Sequence, residues 1–147
     1  MTPDFFRLPL AINTVLLLST VSFAGEITAA RMQHTPDSPH RGTLIIRVDG
    51  TDKTLAKDVW KWWRLGDGKR ILWAGSDGAG GFENEGQSLW EYNADTNKSR
   101  RLTRETYSIT KAIETRSASG KPVYLAVMQD GGLGAPHLAV ISPERGA

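Results

Sequence analysis

Three tryptophans within four positions, Trp60, Trp62 and Trp63, are the residues whose type and spacing point most directly to ligand binding. Flat indole rings stack on sugars and anchor protein interfaces. Strand alternation would put Trp60 and Trp62 on one face and Trp63 on the other, so the three cannot all face inward. We therefore predict a carbohydrate or peptide platform here, with core burial as the competing interpretation. For Trp73 and Trp90 we favour core burial.

The sequence carries no recognisable catalytic constellation. Its three histidines, His34, His40 and His137, lack metal-ligand spacing, and no Gly-x-Ser-x-Gly elbow is present. The absence of cysteine excludes thiolate zinc sites, iron–sulfur clusters and thiol nucleophiles. We predict no catalytic residues, no metal and no cofactor, and that the protein is not an enzyme.

A glycine-rich loop spans 75–86 and holds Asp77, Glu83, Asn84 and Glu85. Their hard oxygen atoms suit calcium, but their spacing fits no EF-hand loop. The loop also lacks the Gly-Lys-Ser/Thr ending of a phosphate-binding loop. The pattern favours a mobile, solvated loop.

The charge pattern argues against nucleic-acid binding. The formal net charge is only +2, although the isoelectric point is near 9.0. Arg100, Arg101 and Arg104 form the single basic cluster, in what the sequence predicts to be a turn. A solvated face is the favoured interpretation, and no nucleic-acid partner is expected.

Residues 1–24 have the pattern of a signal peptide or membrane anchor. Arg7 precedes an uncharged run from Leu8 to Gly25, and Ser22-Phe23-Ala24 supplies small residues for cleavage after Ala24. We expect a periplasmic or secreted protein. The alternative is a retained anchor with the protein facing the periplasm, and only then is contact with a membrane expected.

The remaining chain predicts an all-β fold. Residues 25–42 lack a usable period and are expected to form a flexible lead-in. From Thr43 onward, short apolar runs alternate with turn signals such as Asp49-Gly50 and Gly66-Asp67-Gly68. The predicted strands are 44–48, 54–56, 59–65, 70–74, 88–93, 99–103, 110–115, 123–127 and 138–141.

One pattern occurs twice: an apolar strand, a polar turn, a basic residue and a leucine. The clearer copy runs from Leu89 to Thr103 and the fainter one from Ile45 to Leu55. Their separation lies within the roughly 40–50 residues of a four-stranded propeller blade.

The order Gly66-Asp67-Gly68, a strand at 71–74, a loop, a strand at 89–93 and Arg101-Leu102-Thr103 resembles the TolB-like, WD40-like β-propeller repeat. In that family a Pro-Asp-Gly turn opens the unit, and here glycine replaces the proline. Residues 119–126 parallel 67–74 as a degenerate second copy. The resemblance covers roughly 43–141 and implies a β-propeller-like domain at 43–147.

About two and a half blades are recognisable, whereas closed propellers typically have four to eight. We therefore expect a partial propeller of antiparallel blades, with a small β-sandwich as the alternative. Uncovered blade faces predict self-association, or a protein partner that covers 44–48 or 123–141. The expected function is a non-catalytic, exported interaction or scaffold module, such as a small subunit of an envelope complex. The alternative is a glycan-binding or glycan-processing propeller fragment that uses the exposed tryptophans.

Overall fold

The chain folds into two antiparallel β-sheets in the computed structural model, which describes residues 25–76, 86–104, 106–130 and 134–143. The predicted leader and most of the glycine-rich loop lie outside the described residues. No helix long and apolar enough to cross a membrane occurs in the described ranges. The strands are β1 (Ile27–Thr35), β2 (Ser38–Val48), β3 (Thr51–Arg64), β4 (Arg70–Gly75), β5 (Ser88–Asn93), β6 (Lys98–Arg101), β7 (Ser108–Arg116), β8 (Pro122–Gln129) and β9 (His137–Ile141).

The six-stranded sheet has the order β1-β2-β3-β4-β5-β6, and the three-stranded sheet has the order β7-β8-β9. Within each sheet, every strand thus pairs with its neighbours in sequence, and the all-β prediction is confirmed. The predicted turn at Asp49-Gly50 joins β2 to β3, with Val48 paired to Thr51. Both turn residues have positive φ, 49° and 80°, as a two-residue type I′ hairpin requires.

The expected flexible lead-in at 25–42 is wrong for most of its length, because it forms β1 and the first part of β2. Ala30 pairs with Ile46, and Met32 pairs with Leu44. Ile27 is fully buried. Few large apolar residues alternate in this segment, so its strand character comes from pairing with β2 rather than from its own pattern.

The six-stranded sheet bends sharply at β3, which the sequence predicted as two separate strands. Asp58 has a φ of 54°, and the β3–β4 register shifts between Val59 and Lys61. The β2–β3 register also shifts next to Gly42. These irregularities fold β1 and β2 over β4 and β5. The resulting first core comprises Ile27, Leu44, Ile46, Val59, Ile71, Trp73, Tyr92 and Ala94.

A second core lies on the other face of β4 and β5, against the three-stranded sheet. It comprises Leu65, Leu72, Ala74, Leu89, Leu102, Ile109, Ala112, Tyr124, Ala126, Met128 and Ile141. Side chains of β4 and β5 are therefore buried on both faces, which explains their nearly continuous apolar sequences. Leu44 and Ile46, in the 44–48 segment that we expected a partner to cover, are fully buried within the chain itself.

Candidate functional site

The predicted tryptophan platform is divided between the two faces of the bent sheet. Trp62 packs against the first core, and Trp63 packs against the second core. Trp60 is half-buried, and its indole Nε1 is buried without a hydrogen-bond partner among the described residues. The structure therefore does not bring the three rings onto one surface.

The tryptophan that organises the first core is Trp73. It pairs with Trp62 on β3 and with Trp90 on β5, so the three form a cross-strand row. The rings of Trp73 and Trp90 stack with centroids 6.0 Å apart and planes 9° from parallel. Trp73 is only 4% exposed, so core burial is confirmed for it. Trp90 is partly buried against the same core. This row stabilises the sheet.

A buried carboxylate, that of Glu91, lies between the two sheets. Tyr124 donates a hydrogen bond from its hydroxyl to Glu91 Oε2 at 2.5 Å. Arg100 donates from Nη2 to both Glu91 oxygens, at 3.1 and 3.2 Å, and from Nη1 to the Pro143 carbonyl at 2.6 Å. Each buried charge is therefore compensated, as burial requires.

Arg70 extends this network to the turn before β4. Its guanidinium donates to Asp67 Oδ2 at 2.5 Å, to Glu114 Oε1 at 2.6 Å and to the Tyr124 hydroxyl at 2.9 Å. Burial opposes the charge on Arg70, but the hydrogen bonds from Arg70 to Asp67 and Glu114 outweigh it and raise the Arg70 pKa above its ordinary value. The network thus links the six-stranded sheet to β7 and β8.

Two pKa shifts reflect the same contacts. Burial, together with the hydrogen bond to Glu91, raises the pKa of the Tyr124 phenol. At Asp67, burial alone would raise the carboxyl pKa, but hydrogen bonds from Arg70 and from backbone N–H groups hold it below its usual value. Tyr124 therefore stays protonated and Asp67 stays ionised, which suits a structural tie between the sheets rather than proton transfer.

A shallow groove opens beside this network along β5 and β6, with a volume of about 360 Å³. It is lined by Glu91, Asn93, Thr96, Lys98, Ser99 and Arg100. Two of these lining residues, Glu91 and Arg100, are already bonded to each other. Within the described ranges, no group of three or more His, Asp or Glu side chains could hold a metal ion.

Exposed apolar side chains lie on the outward face of β7-β8-β9, here called the outer face. The register aligns Ile113 with Leu125 and Leu125 with Val140, while Val127 aligns with Leu138. These side chains alternate with the residues that form the second core, so they point away from it. Ile113 is 44% exposed, Leu138 62% and Val140 67%. Contiguous apolar patches of this kind mark interaction sites.

Four residues of the outer face lie within 123–141, the segment that the sequence analysis named as needing cover: Leu125, Val127, Leu138 and Val140. Ile113 lies outside that segment, on β7. The sequence analysis did not predict the polar network around Glu91. The sequence signal for it was this glutamate within the otherwise apolar run 89–92, in a strand that is buried on both faces. Arg100, expected on a solvated face, is exposed and also binds Glu91. Asp77, Glu83, Asn84 and Glu85 lie outside the described residues. His34 contacts the Arg41 carbonyl at 3.3 Å, and His137 lies 3.8 Å from Asp130.

Comparison with known proteins adds no relative to this description: no family model, no curated protein and no solved structure matches the chain.

Proposed function

We propose that this protein is an exported, non-catalytic interaction module whose binding surface is the outer face. The observation that carries the proposal is the alignment of Ile113, Leu125 and Val140 across three strands, with Ile113 and Val140 largely exposed. Burying apolar surface is favourable by about 25 cal/mol per Å², so a partner that covers this face gains binding energy directly.

The blade-like organisation supports the same proposal. Strands β3 to β6 form four consecutive antiparallel strands, and β7 to β9 form three more. The two sets pack face to face through the second core, as neighbouring propeller blades do. We propose that they are one blade and part of a second, related to the TolB-like, WD40-like repeat. The outer face would then be the side on which a further unit stacks.

Export is proposed from residues 1–24, and the partner is accordingly expected among periplasmic, secreted or envelope proteins. The alternative of a glycan-binding or glycan-processing propeller fragment relies on the exposed tryptophans Trp60, Trp62 and Trp63. Because Trp62 and Trp63 pack against opposite cores, we do not favour it.

The test is site-specific photo-crosslinking in the cells that produce the protein. A photo-reactive residue at Ile113, on the outer face, is compared with one at Lys57, which is exposed on β3. We expect a discrete adduct from position 113 that is absent from position 57, and it should disappear when Leu125 is changed to lysine. No adduct at 113, or equal adducts at both positions, contradicts the proposal.

A further inference from the structure

Open sheets end in edge strands with unpaired backbone groups, and soluble proteins normally block them with charges or bulges. Three of the edges described here follow that rule. Strand β6 has the sequence Lys-Ser-Arg-Arg, and all four residues are exposed. Strand β7 has a register shift between Ile109 and Lys111, and β1 has two register shifts.

Strand β9 is the exception. Its five residues, His-Leu-Ala-Val-Ile, include no lysine, arginine or acid. It pairs with β8 in continuous register from His137 to Ile141, without a bulge. No described strand pairs with its other edge. Leu138 and Val140 are the two most exposed large apolar residues of the described chain, at 62% and 67%.

We propose that β9 pairs antiparallel with β9 of a second copy of this chain, about a twofold axis through Ala139. The inference rests on the proposed function, because it names a partner for the surface that ends at β9. Pairing joins two three-stranded sheets into one continuous six-stranded sheet. It also makes the outer faces of the two copies continuous.

The residue pattern of β9 is suited to antiparallel pairing with β9 of a second copy. An antiparallel pair centred on Ala139 sets Leu138 opposite the partner's Val140, and Val140 opposite the partner's Leu138. Both pairs lie on the outer face, so each exposed side chain gains an apolar neighbour. This is the self-complementary contact that a twofold interface requires. Pairing β9 with β6 instead would set apolar side chains beside Lys98, Arg100 and Arg101.

The interface is small. Pairing of five-residue strands buries less than the roughly 1,200–2,000 Å² of a standard stable interface. The dimer is therefore concentration-dependent, with a dissociation constant on the order of micromolar. Sedimentation from about 1 to about 100 µM should show the sedimentation coefficient rising with concentration.

Disulfide trapping tests the register directly, because the chain has no cysteine of its own. Ala139→Cys puts two thiols opposite each other on the axis. The two Cα atoms at position 139 then lie within the separation of about 4.4–6.8 Å that a disulfide spans. We expect mild oxidation to give a covalent dimer. Leu138→Cys faces the partner's Val140 instead and should give much less, as should Ala29→Cys on the β1 edge. Equal trapping at positions 139 and 138 overturns the register.

Two lysine variants separate this inference from the proposed function. Val140→Lys places a charge at the pairing edge and should abolish the concentration dependence. Ile113→Lys changes the outer face on β7, away from β9, and should leave self-association intact. If Ile113→Lys abolishes self-association too, the copies associate through their faces and the edge pairing is wrong. A monomer at every concentration also overturns the pairing. The crosslinking experiment at position 113 tests the proposed function, and its result does not depend on the outcome for β9.

Discussion

The hydroxyl of Tyr124 lies 2.5 Å from Glu91 Oε2 and joins β8 of one sheet to β5 of the other. Tyr124 is fully buried, and the side chain of Glu91 is 5% exposed. Arg70 donates to the same hydroxyl, and Arg100 donates to the same carboxylate. Hydrogen bonds as well as apolar packing therefore fix the position of one sheet against the other.

Replacing Tyr124 by phenylalanine should lower the free energy of unfolding by about 1–3 kcal/mol, since it removes a donor to a buried carboxylate and leaves Arg70 with one acceptor fewer. Urea denaturation followed by tryptophan fluorescence measures the change. Tyr107→Phe is the matched control, because Tyr107 is 45% exposed, and it should change stability by less than about 0.5 kcal/mol. Equal effects of the two variants would show that the Tyr124 hydroxyl contributes nothing.

Stability should fall with rising pH above about 10, and Tyr124 should be one of the causes. Its folded-state pKa is raised above the ordinary value of 10.0, so the unfolded chain releases this proton first. The unfolded state then binds fewer protons than the folded state, and the stability present below pH 10 is lost as the pH rises. The decline should be shallower in Tyr124→Phe than in the wild type. Parallel curves for wild type and Tyr124→Phe would contradict this prediction.

Gly42→Ala should destabilise the protein by about 1–3 kcal/mol, because a Cβ at position 42 would lie 2.5 Å from the Gln33 carbonyl oxygen. Gly42 sits at the bend, where β1, β2 and β3 change register. Gly66→Ala is the control, since an added Cβ meets nothing within 4 Å there. Thermal unfolding should show a lower Tm for Gly42→Ala and an unchanged or slightly higher one for Gly66→Ala. An unchanged Tm for Gly42→Ala would show that the bend tolerates a side chain.

Much of the strand pattern was predictable because it depends on local information. The runs at 88–93 and 123–127 have strong β-formers, and Asp49-Gly50 is the residue pair that a type I′ turn needs. Strand β1 was not predicted, because its own sequence has few alternating large apolar residues and the apolar residues of this pair of strands lie mostly on β2. The bend was missed because nothing in the residue types around Asp58 requires a positive φ there.

The site was harder to predict than the strands, because it depends on contacts between distant segments. Arg70, Glu91 and Tyr124 come from three strands and meet only once the sheets stack. For the tryptophans, strand alternation correctly predicted that Trp62 and Trp63 lie on opposite faces of the sheet. It could not predict that both faces would pack against a core.

Trp60 gives the last prediction, because its indole N–H is buried without a partner among the described residues. An unsatisfied buried donor costs about 1–3 kcal/mol, which offsets the apolar area that the larger ring buries. Trp60→Phe should therefore leave the free energy of unfolding unchanged within about 0.5 kcal/mol, or raise it. Trp73→Phe removes a stacked ring from the first core and should lower it by at least about 1 kcal/mol. Chemical denaturation of both variants measures the difference. A loss at position 60 as large as at position 73 would mean that the Trp60 ring stabilises the fold more than its unpaired N–H destabilises it.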